Sequence, residues 1–62
     1  MKTKNLRQGD VVTFVRPVGT YFGAVRVGEM GSFEYRRADF FYIRVDIRGE
    51  EKVIPVYRGD IQ

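Results

Sequence analysis

The stretch from residue 33 to residue 44, FEYRRADFFYIR, holds five aromatic residues and three arginines. Aromatic rings stack on nucleic-acid bases, and guanidinium groups bind phosphates or stack on rings themselves. The whole chain carries eight arginines against three lysines, and its net charge is +3. Arginine is favoured over lysine where a planar, bidentate donor is needed. This composition indicates an anionic partner, while the alternative interpretation is a mild basic excess without functional consequence.

The residue types needed for most catalytic and metal sites are missing. The chain has no cysteine and no histidine, so thiolate and imidazole ligands, His-based acid–base chemistry and Cys nucleophiles are excluded. Ser32 is the only serine and has no plausible base beside it. The segment from Gly28 to Gly31 is typical of a loop, since no helix follows it to form a phosphate site. We therefore expect a protein that is not an enzyme and that uses neither a metal nor a cofactor.

The length of 62 residues predicts one domain, residues 1–62, with a flexible N-terminus over residues 1–8. A chain this small buries only about 60% of the surface that its unfolded state exposes, so its stability is limited. No apolar run is long enough to span a membrane, and no secretory apolar region follows Met1. Since there are also no cysteines for disulfides, we expect a cytoplasmic protein.

The first half of the chain predicts two short strands and a long loop. Val11–Val15 is rich in β-branched and aromatic residues, which favour strands. A second strand is expected over Tyr21–Val27, with Val25 and Val27 facing inward and Gly23 marking a bulge or sharp bend. Gly28–Asp39 then reads as a loop, because glycines bracket its start.

The second half shows the clearest periodicity in the chain. Between Phe40 and Arg48, apolar residues alternate with polar ones, which predicts a strand with one buried and one wet face. Gly49 indicates a tight reversal, Glu51–Val56 a fourth strand, and Asp60–Ile61 a short fifth one. No segment has the apolar spacing of a helix. The expected fold is therefore all-β, a small closed barrel of five strands.

Both ends of this pattern resemble SH3-like barrels, the broad group that includes SH3, Tudor and KOW domains. Gly9–Val12 is similar to the turn and strand with which such barrels begin. Val53–Ile61 resembles their strand, single helical turn and closing strand. The resemblance covers nearly the whole chain and implies a five-stranded SH3-like barrel without pointing to one family. The chain has no tryptophan, a residue that the peptide-binding SH3 domains would be expected to show.

Alternation divides the aromatic stretch into core and surface. Phe41 and Ile43 belong to the core, whereas the residues between them face the other way. A wet strand face has little reason to carry a ring, so an exposed aromatic beside arginines indicates binding of DNA or RNA. The predicted nucleic-acid or partner-binding residues are Tyr35, Arg36 and Arg37 on the loop, Tyr42 and Arg44 on the strand, and Arg26 on the neighbouring strand.

Two alternatives remain open at this point. A protein partner, or a homo-oligomer, would use the aromatics Tyr21, Phe22 and Phe40 together with Tyr42, since aromatics and arginine anchor interfaces. Alternatively, Phe33 and Tyr35 only close an end of the barrel, with Phe40 packed under Leu6. In either case the acidic neighbours Glu34 and Asp39 are expected to neutralise some arginines.

Overall fold

The computed structural model describes residues 5–62, which form six β-strands and a 3-10 turn after the last of them. The strands are β1 (Val11–Thr13), β2 (Val18–Thr20), β3 (Gly23–Val25), β4 (Met30–Arg37), β5 (Phe40–Ile47) and β6 (Glu50–Tyr57). The 3-10 turn follows directly at Arg58–Asp60. The prediction of an all-β fold is confirmed for this part of the chain.

The strands form two antiparallel sheets. One has four strands in the order β1-β4-β5-β6, and the other is the separate β2–β3 hairpin. The C-terminal residues return to the first strand, where Ile61 forms a bridge with Phe14 and the backbones of Thr13 and Gln62 exchange hydrogen bonds. Because residues 5–62 form six strands in two sheets and no closed barrel, the predicted closed five-stranded barrel is wrong.

The β5–β6 hairpin matches the sequence pattern closely. Its two turn residues, Arg48 and Gly49, both have positive φ, at 56° and 81°, which suits the right-handed twist of a two-residue hairpin. The side chain of Asp46 accepts a hydrogen bond of 2.9 Å from the backbone N–H of Gly49. The predicted reversal is therefore confirmed, although β6 runs through Pro55 and ends at Tyr57.

The predicted loop over Gly28–Asp39 is wrong, since most of it is strand β4. Its alternation is hidden because the register with β5 shifts between Phe33 and Tyr35, which marks a β-bulge. The predicted strand over Tyr21–Val27 is also wrong in extent. Chain reversal at Tyr21 and Phe22 leaves β3 as its only strand segment.

The core lies between the inner face of the four-stranded sheet and the segments that cross it. The inward prediction for Val25 is confirmed, whereas Val27 lies beyond the end of β3 and is exposed. All four apolar residues of the alternating stretch of β5 are buried, as predicted. The buried hydrophobic residues are Val12, Phe14, Val25, Phe33, Phe41, Ile43, Val45, Ile47, Ile54, Val56 and Ile61, with Leu6 and Val18 packed against them.

The predicted flexible N-terminus falls partly on residues 1–4, which lie outside the described residues. In the described part of that segment, Leu6 packs against the core. The backbone N–H of Gly9 donates to the carbonyl of Phe33 at 2.7 Å. Residues 6 to 9 are thus attached to the sheet.

Candidate functional site

The bulge in β4 decides which side chains lie on the outer, solvent-facing side of the four-stranded sheet. Phe33 lies opposite Ile43 and is buried. With regular alternation Tyr35 would face inward with Phe33, but the register shift places Tyr35 opposite Tyr42 instead. Tyr35 is therefore on the outer face and 48% exposed. The alternative that both rings only serve the core is therefore wrong for Tyr35, whereas Phe33 does belong to the core.

Four rings occupy one end of this outer face, and we call them the aromatic end: Tyr35, Phe40, Tyr42 and Tyr57. The rings of Tyr35 and Tyr42 are stacked, with centroids 4.5 Å apart and planes 12° apart. Phe40 lies opposite Tyr57 in the ladder, and their centroids are 5.1 Å apart. The two pairs lie in successive rows of the sheet. The result is a continuous aromatic surface across β4, β5 and β6.

The neighbouring arginines Arg36 and Arg37 point to opposite sides of β4. Arg37 lies opposite Phe40 and is therefore next to the aromatic end. Arg36 lies opposite the core residue Phe41, and its guanidinium is 5.6 Å from the Phe41 ring centroid. Its Nε donates to the carbonyl of Ala38 at 3.4 Å. Only Arg37 of this pair is therefore placed beside the exposed rings.

Arg44 lies in the middle of the outer face and is held between two carboxylates. Its Nε donates to Glu34 at 2.7 Å, and its Nη1 donates to Glu51 at 3.1 Å. The amide of Gln8 also donates to Glu34, at 3.3 Å. We call Glu34, Arg44 and Glu51 the charged cluster; it links β4, β5 and β6. The predicted neutralisation of some arginines thus applies to Arg44, through Glu34.

The pairing of Glu34 with Arg44 shifts the pKa of both groups. Hydrogen bonds from Arg44, and then from Gln8, hold the pKa of Glu34 below its ordinary value of 4.5. The same pairing with Glu34, together with the hydrogen bond to Glu51, raises the pKa of Arg44. The folded state therefore favours the charged forms of Glu34 and Arg44.

Glu34→Gln is expected to reduce the acid sensitivity of the fold. Since the pKa of Glu34 is lowered by folding, its carboxylate stabilises the protein above pH 4.5. That contribution is lost as the pH falls through the lower, folded-state pKa. Thermal unfolding midpoints measured between about pH 7 and pH 3 should fall less steeply for the variant than for the unaltered chain.

Asp39→Asn is the matched control for this experiment. Asp39 lies in the turn between β4 and β5, and its carboxylate makes no hydrogen bond or ion pair with any residue in the range 5–62. The thermal unfolding midpoint of the Asp39→Asn variant should change with pH in the same way as that of the unaltered chain. Identical slopes for all three proteins would contradict the assigned role of Glu34.

The remaining predicted residues lie elsewhere. Arg26 is in the turn before β4, at the opposite end of that strand from Tyr35, and its backbone N–H donates to Glu29. Tyr21 and Phe22 form the turn of the β2–β3 hairpin, with ring centroids 5.6 Å apart. Tyr21 is 97% exposed. None of these three residues belongs to the four-stranded sheet that carries the aromatic end.

The hairpin turn borders a shallow groove along β6. A space of about 290 Å³ lies between Tyr21 and Phe22 on one side and Val53 and Pro55 on the other. Phe22 is held at this place by Lys52, whose ammonium group is 4.6 Å from the ring centroid. The interface aromatics predicted from the sequence thus belong to two surfaces, with Phe40 and Tyr42 at the aromatic end.

Tyr57 is the one ring of the aromatic end that the sequence analysis missed. It is 59% exposed and lies opposite Phe40. The signal was available, because a two-residue turn at Arg48 and Gly49 places residue 57 opposite residue 40 by counting outward along both strands. The predicted fourth strand ended at Val56, one residue too early, and this concealed the position of Tyr57.

Residues 5–62 contain no helix that is long and apolar enough to cross a membrane. The same range holds no group of three or more Asp, Glu, His or Cys side chains placed to bind a metal ion. Comparison with protein-family models, with curated proteins and with solved structures finds no match to this chain.

Proposed function

We propose that this protein is a non-enzymatic module that binds DNA or RNA through the aromatic end of its outer face. The observation that carries the proposal is the exposure of stacked and paired tyrosines on a sheet surface beside Arg37. A folded protein has little structural reason to leave Tyr35 and Tyr57 half exposed on one face. Bases that stack on such rings contribute about 1–3 kcal/mol each, as judged by truncating the ring.

Charge on the outer face is consistent with a ligand placed at one end. Arg37 makes no ion pair within the described range, so its guanidinium is available to a phosphate. Arg44, in contrast, is bound by Glu34 and Glu51. We assign Arg44 a structural role, in which its ion pairs hold β4, β5 and β6 in register next to the aromatic end.

Arg37→Ala is expected to weaken the binding of an oligonucleotide and to reduce the salt dependence of that binding. Removing one phosphate contact lowers the slope of log K against log salt by about 0.7–0.9. Fluorescence anisotropy of a labelled oligonucleotide, titrated at several salt concentrations, measures both quantities. Arg26→Ala removes the same charge at the far end of β4 and should leave the slope nearly unchanged.

Two outcomes would contradict the proposal. The first is the absence of binding to any oligonucleotide at tens of micromolar protein and low salt, where phosphate contacts are strongest. The second is an equal effect of Arg37→Ala and Arg26→Ala, which would mean that binding reflects net charge alone.

A second candidate function is binding of a protein partner or of a second copy of this chain. The groove between the hairpin turn and β6 favours it, because Tyr21 and Phe22 expose large rings beside Val53 and Pro55. Sedimentation of the same sample at several concentrations separates the candidates. A stable oligomer that does not bind oligonucleotides supports protein binding through the groove. A monomer that binds them supports nucleic-acid binding through the aromatic end.

We also propose that the fold is a variant of the SH3-like barrels that does not close. Three features support this relationship: the turn at Gly9 before β1, the 3-10 turn after β6, and the bridge from Ile61 back to Phe14. Slow hydrogen exchange of the Thr13 and Gln62 amides, which bond to each other's carbonyls beside this bridge, would support the relationship, and fast exchange of both would contradict it.

A further inference from the structure

We infer that the aromatic end selects single-stranded nucleic acid in which neighbouring bases are unstacked, with successive bases on successive ring pairs. This inference rests on the proposed function and specifies its ligand. It is drawn from three features of the outer face: the separation of the ring rows, the exposure of the outermost rings and the distribution of charge.

The separation of the ring rows favours unstacked bases. Phe40 and Tyr42 are two residues apart on β5, so the row of Phe40 and Tyr57 lies about 7 Å from the row of Tyr35 and Tyr42. Stacked bases of one strand are only about 3.4 Å apart. Neighbouring bases therefore reach neighbouring rows only when the stack between them is opened, which a single strand permits and a duplex resists.

The outermost rings offer the surface on which a base can stack. One face of the Tyr42 ring is covered by Tyr35, and Phe40 is half-buried against Tyr57. Tyr35 and Tyr57, at 48% and 59% exposure, are the most exposed rings of the four. In a duplex both faces of every interior base are already covered by neighbouring bases, so these rings would gain little from contact with one.

Charge on the outer face restricts the path of the phosphates. Within residues 5–62, the face beyond the aromatic end carries Glu34, Asp46 and Glu51 against the one arginine Arg44. These described side chains have a net negative charge, which disfavours a polyanion at this half. Arg37 lies in the same row as Phe40 and Tyr57, at the other extreme of the face. The phosphates are therefore placed next to Arg37, with the bases directed onto the rings.

The test compares the binding of three labelled probes, in each of which the labelled strand has the same number of phosphates. They are a single-stranded octanucleotide, the same octanucleotide with abasic sites throughout, and its blunt duplex. We expect the intact single strand to bind at least about 10-fold more tightly than either of the others, because only it presents free base faces.

Protein variants identify the rings that act. Tyr35→Ala and Tyr57→Ala are each expected to weaken binding of the single strand by about 5- to 150-fold, whereas Tyr57→Phe retains it. Tyr21→Ala, which removes an even more exposed tyrosine from the hairpin turn, should have no effect. Tyr35→Leu and Tyr57→Leu keep the apolar bulk, and their thermal unfolding midpoints show whether a loss of binding reflects a loss of folding.

The outcomes separate this inference from the proposed function. If the abasic strand and the duplex bind as tightly as the intact single strand, the protein binds nucleic acid but the inference is wrong. Equal binding by the Tyr57→Ala and Tyr21→Ala proteins would overturn it as well. If none of the three probes binds, the proposed function itself fails.

Discussion

In the Phe14→Ala variant, a large fraction of the protein molecules is expected to be unfolded at room temperature. The Phe14 side chain is fully buried, and replacing a buried Phe by Ala costs about 3–5 kcal/mol. Domains of this size have a total stability of about 3–9 kcal/mol, on the usual scale per residue. The cost is therefore comparable with the whole free energy of unfolding.

The position of Phe14 explains why its loss would affect the entire fold. Its backbone carbonyl accepts a hydrogen bond from Gly28 and its N–H donates to Glu29, both at 2.8 Å, next to the start of β4. The same residue forms the bridge to Ile61. Collapse of the structure around the cavity would disturb the start of β4 and the contact with Ile61 together. The sheet that carries the rings of the outer face would then be disturbed as well.

Urea unfolding followed by far-UV circular dichroism measures this effect, since the chain has no tryptophan to report it. Phe22→Ala is the matched control, because Phe22 is 40% exposed on a hairpin turn. Its main specific contact, with Lys52, is of a kind worth about 0.5–1 kcal/mol at exposed sites. Similar losses for the two variants would contradict the assignment of Phe14 to the centre of the core.

Gly31→Ala is expected to destabilise the protein by about 1–3 kcal/mol, the usual cost of overpacking. A Cβ atom at Gly31 would lie 2.6 Å from Cγ2 of Ile43 and 2.7 Å from the carbonyl oxygen of Arg44. The carbonyl belongs to the backbone of β5, so β4 and β5 would have to move apart. Separation of these strands would also disturb the ion pair between Glu34 and Arg44 and the stack of Tyr35 on Tyr42.

Gly19→Ala is the matched control, since Gly19 also lies in a strand and no atom would come within 4 Å of an added Cβ. Its stability should be unchanged or slightly higher, because alanine restricts the unfolded chain more than glycine does. Equal urea midpoints for the two variants would show that β4 does not approach β5 as closely as described at Gly31.

The sequence by itself determined the all-β class and the central hairpin. In β5 every second residue is apolar, and that period of two is a local property of the chain. The turn at Arg48 and Gly49 is equally local, because glycine readily adopts positive φ. These two features also predict that Phe41 and Ile43 face inward and that Tyr42 and Arg44 face outward.

Only the tertiary structure decided how the candidate site is assembled. The bulge after Phe33 brings Tyr35 onto the face of Tyr42 and sends Arg36 to the other side, and no period of two in the sequence reveals it. The pairing of Arg44 with Glu34 and Glu51 depends on strand register in the same way. Alternation along one strand is set by local backbone geometry, whereas contacts between strands depend on register, which neighbouring strands set together.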